Sequence, residues 1–391
     1  MINKFSFIFL FLFFSCNSQE RDKISLNINN SVEYNLSSKY EFKKIISTLK
    51  EFVNTKNTIF KNNPNWVKYN DKFFSYPFLD IINIEYVNGK IEYKPTLLSI
   101  TKTNDENTYI VKLGWFKVNK EEEEISLRFI YNLLAIKDNN GVFLLKNILE
   151  FNTKKWSIIE IGDIKFYINP EHKFDENNAL KFNSINEELS HFFEIDKIKF
   201  TYFLCNTNFM LMKALGYDFE ETMYFSNQNG SITYPNDNLI FSGNKSEINK
   251  HELVHLYTYK KFKNKHKIID EGIATFLGGS KGLSYEDHLF KLKKHIEFNS
   301  INLHDELFKN NYVLDEDTSL MYTLGAFLCD LTIKKGGKKL LFELLDSGNT
   351  NEDLINNIKR IFNIKDNDIN RFLINELNNY DFKEHKWNIN R

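Results

Sequence analysis

The sequence predicts an α+β fold, and three observations carry that prediction. Residues 40–53 repeat apolar side chains at helical spacing (Phe42, Ile45, Ile46, Leu49, Phe52, Val53), and alternating strand-like runs follow. Strand-like and helical stretches are then mixed from 156 to 241. Beyond that the spacing is helical almost to the C-terminus. The chain has 391 residues, a length that suggests two domains. With 42% hydrophobic residues and a net charge of -1, it is an ordinary globular protein with no bias towards polyanions. Nucleic acid is therefore not an expected partner.

The first segment reads as a leader. Lys4 precedes an apolar run at 5–14, followed by Ser15 and Cys16. The run is too short to span a bilayer as a helix and reads as a secretory signal, although a buried N-terminal strand or helix is the alternative. Cysteine directly after the small Ser15 resembles a bacterial lipoprotein signal, which implies cleavage before Cys16, lipidation on Cys16 and a membrane partner through that anchor. Phe13 stands where Leu is usual, similar to lipoproteins of Bacteroidetes-type bacteria. Asn17 is not the Asp associated with inner-membrane retention, so the resemblance implies export to the cell envelope and the outer membrane, with either face possible. Residues 16–37 are polar and read as a tether.

The segment 38–152 forms the first domain. After its helix, strands are expected at 81–87, 93–101, 108–118, 125–135 and 142–149. Asn88-Gly89 signals a hairpin, and 138–141 signals another turn. The order, helix then antiparallel meander, resembles cystatin-like or nuclear-transport-factor-like cones. No constellation of titratable residues stands out in this part, and 121–124 reads as a solvated charge run.

A second domain, 156–380, follows a polar break at 152–155. Strands are expected at 164–168, 198–205, 222–225 and 231–234, with helices at 174–193 and 210–215. Later helices are expected at 285–298, 320–334, 338–345, 351–362 and 366–377, punctuated by Gly278-Gly279 and Gly336-Gly337. Besides Cys16 there are Cys205 and Cys329. They could pair in an oxidising compartment or remain two buried thiols.

The stretch with chemistry is His251-Glu252-Leu253-Val254-His255. Residues four apart on a helix lie about 40° from each other and about 6 Å apart along the axis, so two imidazoles can converge on one metal. The helix has readable signals: Ser246 as cap, Glu247 in the first turn, and Lys260, Lys261 and Lys263 near its end. A third ligand is needed, and Glu271 on a following helix, sixteen residues after His255, is a standard source.

His251-Glu252-x-x-His255 with Glu271-Gly272-x-Ala274 resembles the gluzincin metallopeptidases, most closely their peptidase MA-like group. The resemblance implies Zn²⁺ held by His251, His255 and Glu271, with Glu252 as general base towards a peptide or protein substrate. It implies a small mixed sheet before the metal helix and a helical C-terminal lobe. It also implies an edge strand along the substrate cleft, for which 230–234 is the candidate. That segment lacks the Glu with which aminopeptidase gluzincins grip the substrate amine, which points to an endopeptidase, or to a substrate not recognised by its N-terminus. Tyr322 followed by Gly325 resembles the family element whose Tyr donates to the oxyanion; a core Tyr on an apolar helix face is the alternative. His288 is the other candidate donor. Asp270 or Thr275 is expected to bond a ligand imidazole. His172, His191, His266, His295, His304 and His385 lack ligand spacing and read as surface residues. The competing functional readings are a cell-envelope binding or assembly lipoprotein with a vestigial or structural zinc site, and hydrolysis of a bond other than a peptide.

Overall fold

Among the described residues, a six-stranded sheet, a five-stranded sheet, a two-stranded hairpin and a helical lobe give an α+β arrangement. A computed structural model describes residues 23–36, 39–67, 72–119, 121, 123–224, 230–309, 312–365 and 368–382. Residues 1–15, expected to be a signal segment, and Cys16 lie outside the described residues. Among those described, no helix is long and apolar enough to cross a membrane.

The first sheet is built from β1 (Asn27–Ile28), β4 (Lys94–Lys102), β5 (Thr108–Asn119), β6 (Glu124–Lys137) and β7 (Phe143–Asn147). Its neighbours are antiparallel except β1, which runs parallel to β4. The helix α1 (Asn30–Leu36) follows β1, and α2 (Tyr40–Thr55) lays Phe42, Ile45, Leu49, Phe52 and Val53 on the core. The short strands β2 (Tyr86–Val87) and β3 (Lys90–Ile91) meet at Asn88 (φ 49°) and Gly89 (φ 77°), the two left-handed residues a tight hairpin requires.

Three expectations for this half change. Residues 16–37 are not all tether: β1 pairs with β4, and Ile24, Leu26 and Val32 are buried. The run 81–87 is not one strand. It contains the end of a 3-10 turn (Leu79–Ile81), then Asn83 at φ 56°, then β2. Its alternation serves a buried polar knot. Lys56 Nζ lies 2.8 Å from Glu85 Oε2 and donates to Ile81 O at 2.5 Å, while Trp115 Nε1 donates to Glu85 Oε1 at 2.8 Å. So this half does contain a titratable cluster, fully hydrogen-bonded and closed to solvent.

The chain continues through α3 (Leu149–Thr153) into the second sheet. In sheet order this runs β12 (Ser231–Tyr234), β13 (Leu239–Ser242), β10 (Phe200–Leu204), β9 (Ile164–Ile168) and β8 (Ser157–Ile161). Its three central strands are parallel and its two edges antiparallel, the small mixed sheet that was expected. Both faces are covered. Phe166, Tyr202 and Ile240 face α4 (Glu176–Phe193) and the helical lobe, while Tyr167, Phe203 and Phe241 face the first half. Burial on both sides explains why these strands read as continuous apolar runs.

The break at 152–155 does not separate the cores. Phe73 and Phe74 lie 5.1 and 6.1 Å, ring to ring, from Phe203 and Phe241 of the second sheet. Beyond α5 (Asn208–Leu215), β11 (Tyr217–Phe219) returns to pair with β6 of the first sheet. The strand expected at 222–225 is a 3-10 turn, Glu221–Tyr224, that buries Met223.

The helical lobe comprises α6 (Lys250–Lys261), α7 (Lys267–Gly278), α8 (Tyr285–Phe298), α9 (Leu303–Leu307), α10 (Leu320–Leu345), α11 (Asn351–Phe362) and α12 (Ile369–Asn378). The helix α10 is broken at Gly336 and Gly337, where two helices were expected to meet. Cys205 and Cys329 are both free and sit in different cores, with burial pushing the Cys205 thiol up to about 12.

Asp80, from the first half, accepts from Tyr234 of β12 at 2.8 Å. Burial lifts its carboxyl to about 6 against the opposing effect of its donors Tyr234 and Tyr217. The folded chain therefore keeps this proton after the unfolded chain has lost it, and stability falls as pH rises from about 4 to about 6. Asp80→Asn removes that loss, so its melting temperature relative to the native protein climbs across this window. A difference that is constant with pH contradicts the assignment.

Candidate metal centre

The helix α6 starts at an Asx cap. Asn249 Oδ1 accepts from Glu252 N at 3.3 Å, so the start lies three residues beyond the expected Ser246. Ser246 instead accepts from Ile248 N, and Glu247 lies upstream of the helix, buried against His172 Nε2 at 2.8 Å. His172 is thus an internal residue rather than a surface one. His266 is internal too: its Nδ1 accepts from Ile268 N and caps α7.

The register of α6 points His251 and His255 at Glu271 of α7. His251 Nε2 lies 3.4 Å and His255 Nε2 3.5 Å from Glu271 Oε2. All three donor atoms fall within 4.8 Å of one another. Zinc bonds of about 2.1 Å at the tetrahedral angle separate two donors by about 3.4 Å. The two edges to Glu271 match that separation, so the donor set fits zinc. Burial raises the Glu271 carboxyl, but the two imidazoles outweigh burial and hold it well below the ordinary carboxylate range.

The remaining ring nitrogens are already committed. His251 Nδ1 is 2.7 Å from Gly279 O, a carbonyl that can only accept, so Nδ1 donates there and Nε2 is the ring nitrogen turned to Glu271. His255 Nδ1 lies 3.5 Å from Asp270 Oδ2. Asp270 is held in turn by Thr258 Oγ1 at 2.6 Å and Lys265 Nζ at 3.3 Å. A carboxylate behind a metal-binding histidine orients the ring and raises its basicity. The two expected orienting residues therefore part company. Asp270 is in place, whereas Thr275 is buried with its hydroxyl unbonded among the described residues.

Glu252 stands beside the donors without joining them. Its Oε2 accepts from Thr233 Oγ1 of β12 at 2.5 Å. Tyr322, in the first turn of α10, stacks on His251 with centroids 6.2 Å apart and planes 17° apart. Burial and the neighbouring Glu271 and Glu252 carboxylates hold its phenol well above the usual range, so it is a neutral donor. His288 is not in the cluster: its ring nitrogens meet Thr318 Oγ1 and Ser280 O.

Glycines bring these helices together. A Cβ on Gly272 would lie 2.3 Å from the Gly325 carbonyl carbon, and one on Gly325 would lie 2.3 Å from Ile268 O. Here α7 and α10 touch backbone to backbone, which fixes Tyr322 relative to Glu271. A Cβ on Gly278 would lie 2.5 Å from His251 N, so α7 also touches α6 at the first ligand. In the sequence Gly278-Gly279 reads only as punctuation. Nothing local shows that one of these residues admits His251 and the other accepts its ring proton.

No family model matches the chain, and neither does any curated protein.

Gly325→Ala forces α7 and α10 apart. It is expected to cost about 1–3 kcal/mol, the usual range for overpacking, and to weaken zinc retention. Thermal melting and zinc titration check both, and unchanged affinity would show that the contact does not set the donor geometry.

Proposed function

We propose that the protein is a zinc-dependent peptidase of the gluzincin type, an endopeptidase exported and anchored through a lipid on Cys16. The observation that carries the reading is the convergence of His251, His255 and Glu271, their donor atoms within 4.8 Å of one another and both imidazoles 3.4–3.5 Å from Glu271 Oε2, with Glu252 and Tyr322 beside them. The three donors found among the described residues leave a fourth position for water or substrate, as catalytic zinc sites do, whereas structural sites close all four. That favours chemistry over the reading as a binding lipoprotein with a structural zinc.

When bound, zinc supplies a Lewis acid that lowers the pKa of a water and polarises the scissile carbonyl. Glu252 takes the proton from the attacking water and delivers it to the leaving amine. The Tyr322 hydroxyl donates to the developing oxyanion, a contribution of about 3–4 kcal/mol for such donors. The strand β12 ends its sheet, so its outer edge can bind an extended peptide by strand addition. Its side chains Ser231, Ile232, Thr233 and Tyr234 include no carboxylate to grip a terminal amine, which supports cleavage within a chain.

A fluorogenic peptide-library screen with and without chelator tests the reading. Chelator-sensitive cleavage is expected; its absence for every peptide contradicts it. In Glu252→Gln the zinc stays and turnover falls by about 100-fold or more. Glu271→Ala loses zinc instead, and unchanged metal content removes Glu271 from the ligand set.

A further inference from the structure

The edge strand β12 is held from two sides. Its odd residues face α6: Ser231 Oγ accepts from the cap residue Asn249 Nδ2 at 2.8 Å, and Thr233 Oγ1 donates to Glu252 Oε2 at 2.5 Å. Its even residues face the first half of the chain. Tyr234 donates to Asp80 Oδ1 at 2.8 Å, and its ring lies 5.2 Å from that of Phe74. Just past the strand, Ser75 N and Oγ both donate to Asp237 Oδ1, at 2.9 and 2.5 Å. This follows from the period of two, because adjacent residues of one strand grip opposite neighbours.

The Glu252 side chain has three rotatable bonds, and a carboxylate that swings cannot take a proton from a fixed water. A hydroxyl bond of 2.5 Å is at the short, strong end for a carboxylate acceptor. It holds Oε2 and leaves Oε1 for the water. We propose that Thr233 is a positioning residue for Glu252, and that the first half of the chain sets the place of Thr233 by gripping Tyr234 through Asp80 and Phe74. The inference rests on the peptidase reading for its catalytic consequence. It gives the N-terminal half a role, as a brace for the strand that serves the general base.

The test has a metal-free arm and a kinetic arm, both on the full chain. In metal-free protein, Thr233→Val and Glu252→Ala, each of which removes one partner of the bond, are melted singly and together. The expected result is strong non-additivity, with the double variant melting no lower than the weaker single. Additive shifts overturn the bond. In the zinc-loaded protein, with a peptide from the library screen, Thr233→Val should keep its zinc and lose about tenfold or more in kcat with KM within about twofold. Thr233→Ser, which restores the hydroxyl, should recover most of kcat. Tyr234→Phe, which removes only the bond to Asp80, should lower kcat in the same direction. Equal losses in the Val and Ser variants, or a change confined to KM, overturn the positioning role of Thr233. An unchanged Tyr234→Phe overturns the role of the first half. Native protein that cleaves no peptide overturns the peptidase reading, while the melting arm still decides whether Thr233 holds Glu252.

Discussion

The backbone contact between Gly272 of α7 and Gly325 of α10 is the constraint on which the centre depends. Helices separated by side chains pack with axes about 8–10 Å apart. With hydrogens alone between them, two helices come closer, and residues next to the contact meet. Glu271 precedes Gly272, and Tyr322 lies one helical turn before Gly325. The contact therefore places a carboxylate and a phenol together. Gly278 repeats the device against His251 at the start of α6, and the Gly279 carbonyl then orients that ring. Three helices are thus locked by residues with no side chain, and the donor cluster and Tyr322 stand beside them.

Around this frame the electrostatics agree. Each histidine has one ring nitrogen turned to a partner away from the donor cluster, Gly279 O for His251 and Asp270 for His255. Both Nε2 atoms are thereby presented to Glu271. Lys265 and Thr258 balance the Asp270 charge, so the carboxylate behind His255 is not left unpaired in a partly buried place. The second sheet supplies the last neighbour, Thr233, through an edge strand that the first half of the chain braces from behind. The two halves therefore form one unit at the site although the sequence breaks between them.

What the sequence makes legible is what local spacing encodes. The positions of His251, Glu252 and His255 follow from the helical period, strands of the second sheet from short apolar runs, and the hairpin at Asn88-Gly89 from its turn residues. What it hides depends on partners far along the chain. His172 and His266 sit among polar neighbours in sequence, yet their partners are Glu247 and Asn351, 75 and 85 residues away. Ile24, Leu26 and Val32 look too sparse for a core, but they join the first core, where the neighbouring β1 pairs with β4 about seventy residues on. The strand β11 is too short to register a pattern, and its place in the first sheet comes from pairing with β6. The cap of α6 was one polar residue among several within four positions. Which one caps depends on where the chain turns in from β13, and no local rule states that.

The central claim is that His251, His255 and Glu271 bind one zinc ion together. X-ray absorption spectroscopy of the zinc-loaded native protein tests it most directly, with the metal-to-protein ratio measured on the same sample. The account predicts one zinc per chain and a first shell of about four nitrogen and oxygen atoms at about 2.0–2.1 Å, with the outer scattering of two imidazoles. A shell containing sulfur at about 2.3 Å, or a spectrum without imidazole scattering, would contradict it.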